Sequence, residues 1–256
     1  MIVQIYEIQT PWEAESCIEL GVDHIGSVIL SAEHWKNPQI RDLIKLTQNA
    51  GKKSSLIFLF WNKDIIFRAL DYYCPDLIHF CESLTDEAAK PLRLEALIER
   101  QGLVKRQFPE IKIMRSIPIA PRGRKPQPPA IELAKRFEPL TDLFLTDTWL
   151  GKEPVEGYIG ITGKTLDWNV ASQLVEHSGL PVILAGGLGP DNVYEAVVKV
   201  RPAGADSCTG TNMTDDTGRP IRFKKDFNKV KQFVSEIRRA EKIIGKLPLR
   251  YPQTLC

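Results

Sequence analysis

Three stretches in the last third of the chain decide how it is read: Gly160-Ile-Thr-Gly-Lys-Thr-Leu-Asp-Trp168, Pro181-Val-Ile-Leu-Ala-Gly-Gly187 and Gly204-Ala-Asp-Ser-Cys-Thr-Gly210. The second and third are short apolar strands that end in glycine-bearing turns and lead into helix-forming segments. A (β/α)8 barrel makes a phosphate cradle of this layout at its C-terminal mouth, from the loops after strands 7 and 8. Successive glycines permit positive φ and a close approach of backbone to ligand. The candidate phosphate-binding residues are therefore Gly186, Gly187, Thr209 and Gly210, whose N–H groups can converge on one anion. The alternative is that these glycines merely make tight turns.

Working outward, apolar runs alternate with amphipathic stretches along the whole chain. Strands are expected at Val3–Ile8, His24–Leu30, Ser54–Trp61, Leu77–Cys81, Ile111–Ile117, Leu143–Asp147, Pro181–Ala185 and Ala205–Thr209. Helices are expected between them, at Pro11–Leu20, Pro38–Asn49, Lys63–Tyr72, Asp86–Arg106, Pro129–Phe137, Asp167–His177, Pro190–Val200 and Lys225–Ile244. Thr10-Pro11 with Glu13 has the form of a capping box ahead of a first-turn proline. Asn37-Pro38 and Gly189-Pro190 repeat the cap-then-proline arrangement. Eight strand–helix units with right-handed crossovers fit an α/β chain folded as one TIM (β/α)8 barrel, over residues 1–245, with 246–256 as a C-terminal extension. An open doubly wound sheet is the alternative, but no G-x-G-x-x-G turn follows strand 1. Two long segments, Pro118–Pro129 and Trp149–Lys164, fall on the face where barrel enzymes carry their sites.

Bulk properties narrow the class. The 256 residues match the ~250 of one such barrel, and 43% hydrophobic with 26% charged residues is ordinary for a soluble globular chain. A net charge of +2 gives no reason to expect nucleic acid as a partner. No apolar run approaches the ~20 residues of a membrane span. Met1 runs almost directly into Ile2-Val3-Gln4-Ile5 rather than into a signal region, so a cytoplasmic location is expected. Cys17, Cys74, Cys81, Cys208 and Cys256 are scattered, with no CxxC pair. Reduced thiols follow, and neither a metal nor a cofactor is expected. His24, His34, His79 and His177 show no ligand spacing, although His24 and His79 come from strands and one of them can face the mouth.

The quoted motifs resemble phosphoribosylanthranilate isomerase, the tryptophan-biosynthesis barrel. Gly-x-Thr-Gly-Lys-Thr-x-Asp-Trp after strand 6, Leu-Ala-Gly-Gly-Leu-x-Pro-x-Asn-Val after strand 7 and Ala-Asp-Ser-x-Thr-Gly after strand 8 carry the likeness. It extends to Val3-Gln-Ile-Tyr-Glu-Ile, Pro11-x-Glu-Ala and Gly21-Val-Asp-His-Ile-Gly26. It is specific from Asp142 to Asn228 and loose from Ser31 to Pro139. The resemblance implies an Amadori-type aldose–ketose isomerisation of a phosphorylated sugar derivative, with one group as acid and another as base. It puts the acid on Asp147, at the mouth end of an apolar strand where burial raises a carboxyl pKa.

The resemblance breaks at the base. The family has a cysteine at the end of strand 1, in a Lys-Ile-Cys-Gly-Ile context, where this chain reads Gln4-Ile5-Tyr6-Glu7-Ile8. Tyr6 replaces the thiol and, at pKa ~10, is a poor base. Glu7 is the candidate catalytic base, although strand alternation points it away from Tyr6's side; Cys81, or no equivalent base, are the other readings. The family's Ser-Pro-Arg after strand 2, whose arginine holds the anthranilate carboxylate, is replaced by Ser31-Ala-Glu-His-Trp-Lys-Asn-Pro38. Candidate substrate-binding residues are Tyr6, Lys36, Arg115 and Gly163, with Trp35 and the basic loop Arg122–Lys125 as further possibilities. Three functions remain in view: an isomerase paralogue with another phosphorylated small-molecule substrate, the family isomerase itself with a replaced base, or a non-catalytic barrel binding a phosphorylated metabolite or a partner protein. A homodimer is compatible with each.

Overall fold

The computed structural model describes residues 1–245; the expected extension at 246–256, and Cys256 with it, lies outside them. Eight strands pair parallel in sequence order and close into a barrel. They are β1 (Ile2–Ile5), β2 (His24–Ile29), β3 (Lys53–Phe58), β4 (Leu77–Phe80), β5 (Lys112–Ile119), β6 (Leu143–Thr148), β7 (Val182–Leu184) and β8 (Gly204–Ser207). The closing register sets Ile2 against Gly204 and Ile5 against Ser207. Around the barrel lie α1 (Pro11–Glu19), α2 (Pro38–Asn49), α3 (Lys63–Tyr73), α4 (Glu95–Gln107), α5 (Ala130–Phe137), α6 (Trp168–His177), α7 (Val193–Val200) and α8 (Phe227–Ile244).

Strand alternation divides the buried side chains into two sets. Val3, Ile5, Ile25, Ile113, Ile117, Phe144 and Leu184 point outward and pack beneath the helices in one large core. Leu77, Met114, Leu143, Leu145, Ile183 and Ala185 point inward and form a smaller cluster inside the barrel. The rest of the interior is polar. Gln4 Nε2 donates to Asp206 Oδ1 at 3.0 Å, and its Oε1 lies 3.1 Å from His24 Nδ1. Nearer the mouth, Tyr6 Oη is 2.6 Å from Ser55 Oγ and 2.8 Å from His79 Nδ1, and His79 Nε2 is 2.7 Å from Ser116 Oγ.

Local signals hold at most helix starts. Thr10 and Glu13 form the reciprocal capping box, and Asn37, Asn62, Asp167 and Asp226 each cap the following helix through a side-chain oxygen. Three starts differ from expectation. Residues 86–94 form a loop, pinned by a bridge between Thr85 and Pro91, so α4 begins only at Glu95. Gly189-Pro190 stays in the loop and α7 begins at Val193, because Asn192 turns its side chain back to the Gly189 N–H and the Gly187 carbonyl. The expected helix start at Lys225 belongs instead to an antiparallel hairpin, β9 (Asn212–Thr214) and β10 (Pro220–Lys225), inserted between β8 and α8. Among the described residues no helix is long and apolar enough to cross a membrane.

Tyr6 occupies room inside the barrel that Gly26 leaves open: a Cβ on Gly26 would lie closer than 3.0 Å to three atoms of the Tyr6 ring. Overpacking of this kind costs about 1–3 kcal/mol. Gly26→Ala is expected to lower urea stability by that amount in the native chain and by much less in a Tyr6→Cys background, measured as a double-mutant cycle.

Candidate active site

The loops after β6, β7 and β8 meet over one end of the barrel, backbone against backbone. A Cβ on Gly187 would fall within 3.0 Å of the Lys164 carbonyl and the Thr165 nitrogen, one on Gly210 within 3.0 Å of the Leu188 carbonyl, and one on Gly186 within 3.0 Å of Thr148 Oγ1. Gly163, Gly186 and Gly187 also have φ of +64°, +91° and +63°, where side chains are disfavoured. The glycines thus serve loop packing first, and that packing brings their main chain to the mouth. The N–H groups of Gly163 and Gly187 have no acceptor among the described residues. Gly163, Gly187, Thr209 and Gly210 line both an inner cavity of about 70 Å³ and an outer one of about 610 Å³, while Gly186 lines the inner one.

Below these loops two carboxylates enter the inner cavity from the barrel wall. Asp147, on β6, accepts from the Thr148 N–H at 2.8 Å. The carboxylate lies flat against Gly160, where a Cβ would collide with Oδ2. Burial pushes its pKa up to about 7, the Glu153 charge adds to this and the Thr148 N–H opposes it. Asp206, on β8, is buried and held by Gln4. Burial likewise raises it to about 7, against the pull of the Gln4 bond and with help from the Asp147 charge. Two carboxyl groups in one cavity, each costly to ionise, can supply one protonated and one ionised group near neutral pH.

The other candidates fare differently. Tyr6 lines the inner cavity, but burial drives its phenol well above its ordinary range, and its oxygen is already engaged by Ser55 and His79. It is a wall, and no base. Burial brings His79 down to about 3, so it stays neutral. Cys81 also lines the cavity, where burial and the Glu82 and Asp147 charges keep it a thiol.

Glu7 is a correction. Its carboxylate lines the inner cavity, yet Arg222 Nε occupies Oε1 at 2.7 Å, while Asn212 Nδ2 and the Phe223 N–H occupy Oε2 at 3.2 Å each. Despite burial, Arg222 holds its pKa below the usual carboxylate value. A carboxylate so engaged is a poor proton acceptor.

Arg115 is a second correction. A charge in mid-strand suggests a mouth residue, but β5 turns Arg115 outward, between Ile113 and Ile117, into the layer beneath the helices. There it is fully buried, ion-paired to Glu82 at 2.7 Å, bonded to Gln101 at 3.0 Å and sandwiched between the rings of Phe80 and Phe137. Lys36 is a third: it is exposed and lies over the Tyr72 ring on α3, away from both cavities. Trp35 packs on the outer core, and Arg124 of the basic loop donates to the Leu150 carbonyl; neither lines the inner or the outer cavity.

Two residues escaped the sequence reading. Asp206 stood in the quoted Ala-Asp-Ser stretch, and a carboxylate inside a four-residue buried strand was the available signal. Arg222 had none, since the hairpin carrying it was unforeseen. Among the described residues, no group of three or more His, Cys, Asp or Glu side chains could hold a metal ion.

Comparison with known proteins agrees with this architecture. A family profile described as N-(5'phosphoribosyl)anthranilate (PRA) isomerase matches residues 107–236. The chain is 34% identical over 135 residues to N-(5'-phosphoribosyl)anthranilate isomerase of Methanocella arvoryzae, covering 53% of this chain and 54% of that one. The chain thus spans about half the length of that relative. It is 27% identical over 241 residues to N-(5'-phosphoribosyl)anthranilate isomerase 1 of Methanosarcina mazei, covering 92% and 94%. The crystal structure of phosphoribosyl anthranilate isomerase from Thermotoga maritima superposes with a TM-score of 0.68 at 21% identity, over 93% of this chain and 99% of that one.

Arg115 separates stability from binding. Removing one partner of a buried ion pair costs about 3–5 kcal/mol. Arg115→Met is expected to lower denaturation stability by that order while leaving the affinity for inorganic phosphate unchanged in calorimetric titration.

Proposed function

The chain belongs to the N-(5'-phosphoribosyl)anthranilate isomerase family, and from that premise we propose that it isomerises an N-substituted aminoaldose 5-phosphate to the corresponding aminoketose, with N-(5'-phosphoribosyl)anthranilate the first substrate to test. The observation that carries the reading is the pair Asp147 and Asp206, which lines a narrow cavity shared with the glycine loops. A phosphate on the amides of Gly163, Gly187 and Gly210 fixes one end of a pentose. Its reacting carbons then extend inward toward the carboxylates.

In this reading Asp147, protonated, donates to the ring oxygen as the C1'–O bond breaks, while the nitrogen lone pair forms the iminium. Asp206, ionised, takes the proton from C2'; that electron pair forms the C1'=C2' bond and the iminium pair returns to nitrogen. The enol loses its hydroxyl proton and C1' gains one, giving the ketone with no net change in atoms or electrons. Asp206 thereby does the work expected of a thiol at the end of strand 1, a position filled here by Tyr6. Favouring catalysis over mere binding is the cost of burying two carboxylates in one cavity, which a passive phosphate receptor has no need to bear.

Two measurements test this. Purified protein is expected to consume N-(5'-phosphoribosyl)anthranilate and to rescue a tryptophan auxotroph lacking the isomerase; failure of both at high expression rules out that substrate. The pH profile of kcat/KM is expected to be bell-shaped about neutrality, since one carboxyl must be protonated and the other ionised. Asp147→Asn and Asp206→Asn are each expected to lower kcat at least 100-fold, the order contributed by a positioned acid or base.

Stability carries the same signature. Both folded pKa values lie above the ordinary aspartate value, so the folded state binds the extra proton between about pH 4 and 7. This contribution is fully present below that window and is lost as pH rises through it. Asp206→Asn is expected to flatten this decline in urea titrations across the range.

A further inference from the structure

The amides at the mouth carry only partial charges, and the wall beneath them carries two carboxylates. A phosphate dianion entering here is held more tightly where a full positive charge is added. Among the described residues lining the two cavities, Arg222 is the one lysine or arginine, and it lines both. It comes from β10, on the hairpin that follows β8.

Its presentation is elaborate. Nε is tied to Glu7 at 2.7 Å, and the guanidinium lies 4.8 Å from the Phe223 ring centroid. The two Nη groups, by contrast, make no hydrogen bond among the described residues. The Glu7 side chain is only 2% exposed and that of Arg222 is 38% exposed, so the anchor is sunk in the wall and the fork is left at the mouth. Both ends of the clasp are strained: Glu7 has φ +65° and Phe223 φ +59°, positions that disfavour residues with side chains. The Phe223 N–H closes the clasp onto Glu7 Oε2. Backbone strain kept on both sides of one ion pair, whose carboxylate is buried and whose guanidinium is exposed, is the pattern of a ligand clamp.

We propose that Arg222 is an anion-binding residue of this site, held by Glu7 so that its free Nη pair grips a substrate oxyanion beside the glycine amides. Because it shares the outer cavity with Gly163, Gly187, Thr209 and Gly210, the phosphate is the ligand proposed for it. A substrate carboxylate has the same chemistry and is the other source of such oxygens. The inference rests on the reading of the mouth as a phosphate site, but it does not require turnover. Glu7 then acts as a positioning residue, which explains why its carboxylate is spent on Arg222 rather than left free as a base.

Calorimetric titration of the full chain with inorganic phosphate, and separately with anthranilate, tests the clasp. Arg222→Gln is expected to weaken phosphate binding about 10-fold, as loss of a charge-assisted fork predicts. Glu7→Gln should weaken it in the same direction by freeing the guanidinium. Thermal melts accompany each variant, and if Arg222→Gln proves unfolded, Arg222→Lys decides, since it keeps a cation beside Glu7 but lacks the fork. Weakened anthranilate binding with unchanged phosphate binding would keep the oxyanion role and make the carboxylate its source. Unchanged affinity for both probes, or a native chain that binds neither, overturns the proposal. A chain that binds phosphate through Arg222 yet isomerises nothing sinks the isomerase reading alone. An active enzyme indifferent to Arg222 sinks the clasp alone.

Discussion

A closed parallel barrel gives each strand residue one of two destinations, the interior or the layer beneath the helices, and a shift of one position exchanges them. This parity governs the whole molecule. It carries Leu145 and Asp147 inward from β6 while Phe144 goes out to the helices. On β5 it sends Arg115 outward between Ile113 and Ile117, where Glu82 and Gln101 receive the guanidinium. A charged side chain survives in the second location because Glu82 pairs with one Nη, Gln101 takes Nε and two aromatic faces flank the guanidinium, although its other Nη is left without a partner.

The interior departs from an apolar filling. Gln4, Tyr6, His24, Ser55, His79, Ser116 and Asp206 form two bonded groups across the barrel. Buried polar groups tolerate this because each finds a partner. The consequence for chemistry is a buried, hydrogen-bonded floor under the mouth, where Asp147 and Asp206 are both costly to ionise. Tyr6 is central to this arrangement. It fills the space above Gly26 and bonds across to β3 and β4, so the position that holds a reactive thiol in the family holds a structural phenol here. Across the closing seam β8 pairs directly with β1 and sets Asp206 level with Gln4.

Glycines at the mouth are required by contacts between loops, as the Lys164 and Leu188 carbonyls demonstrate, and the same glycines line the cavity. The hairpin after β8 adds what main chain cannot supply, a full positive charge, and fastens it to the end of β1 through Glu7.

The alternation of eight apolar runs with helical stretches, the capping box at Thr10 and the glycine turns after strands 7 and 8 determined the barrel and the end at which its loops gather, because these are local signals of period, capping and backbone freedom. They also led to Asp147, at the mouth end of its strand. What only tertiary structure decided was the direction and company of individual side chains. Strands buried on both faces read as continuous apolar runs and hide their parity, so Arg115 was legible as a charge but not as an outward one. Glu7 was legible as a carboxylate, yet its partner Arg222 lies more than two hundred residues away on a hairpin whose residues look like the approach to a helix. Asp206 acquired its role only when closure of the barrel set β8 beside β1, within reach of Gln4, and brought its carboxylate to the same cavity as Asp147.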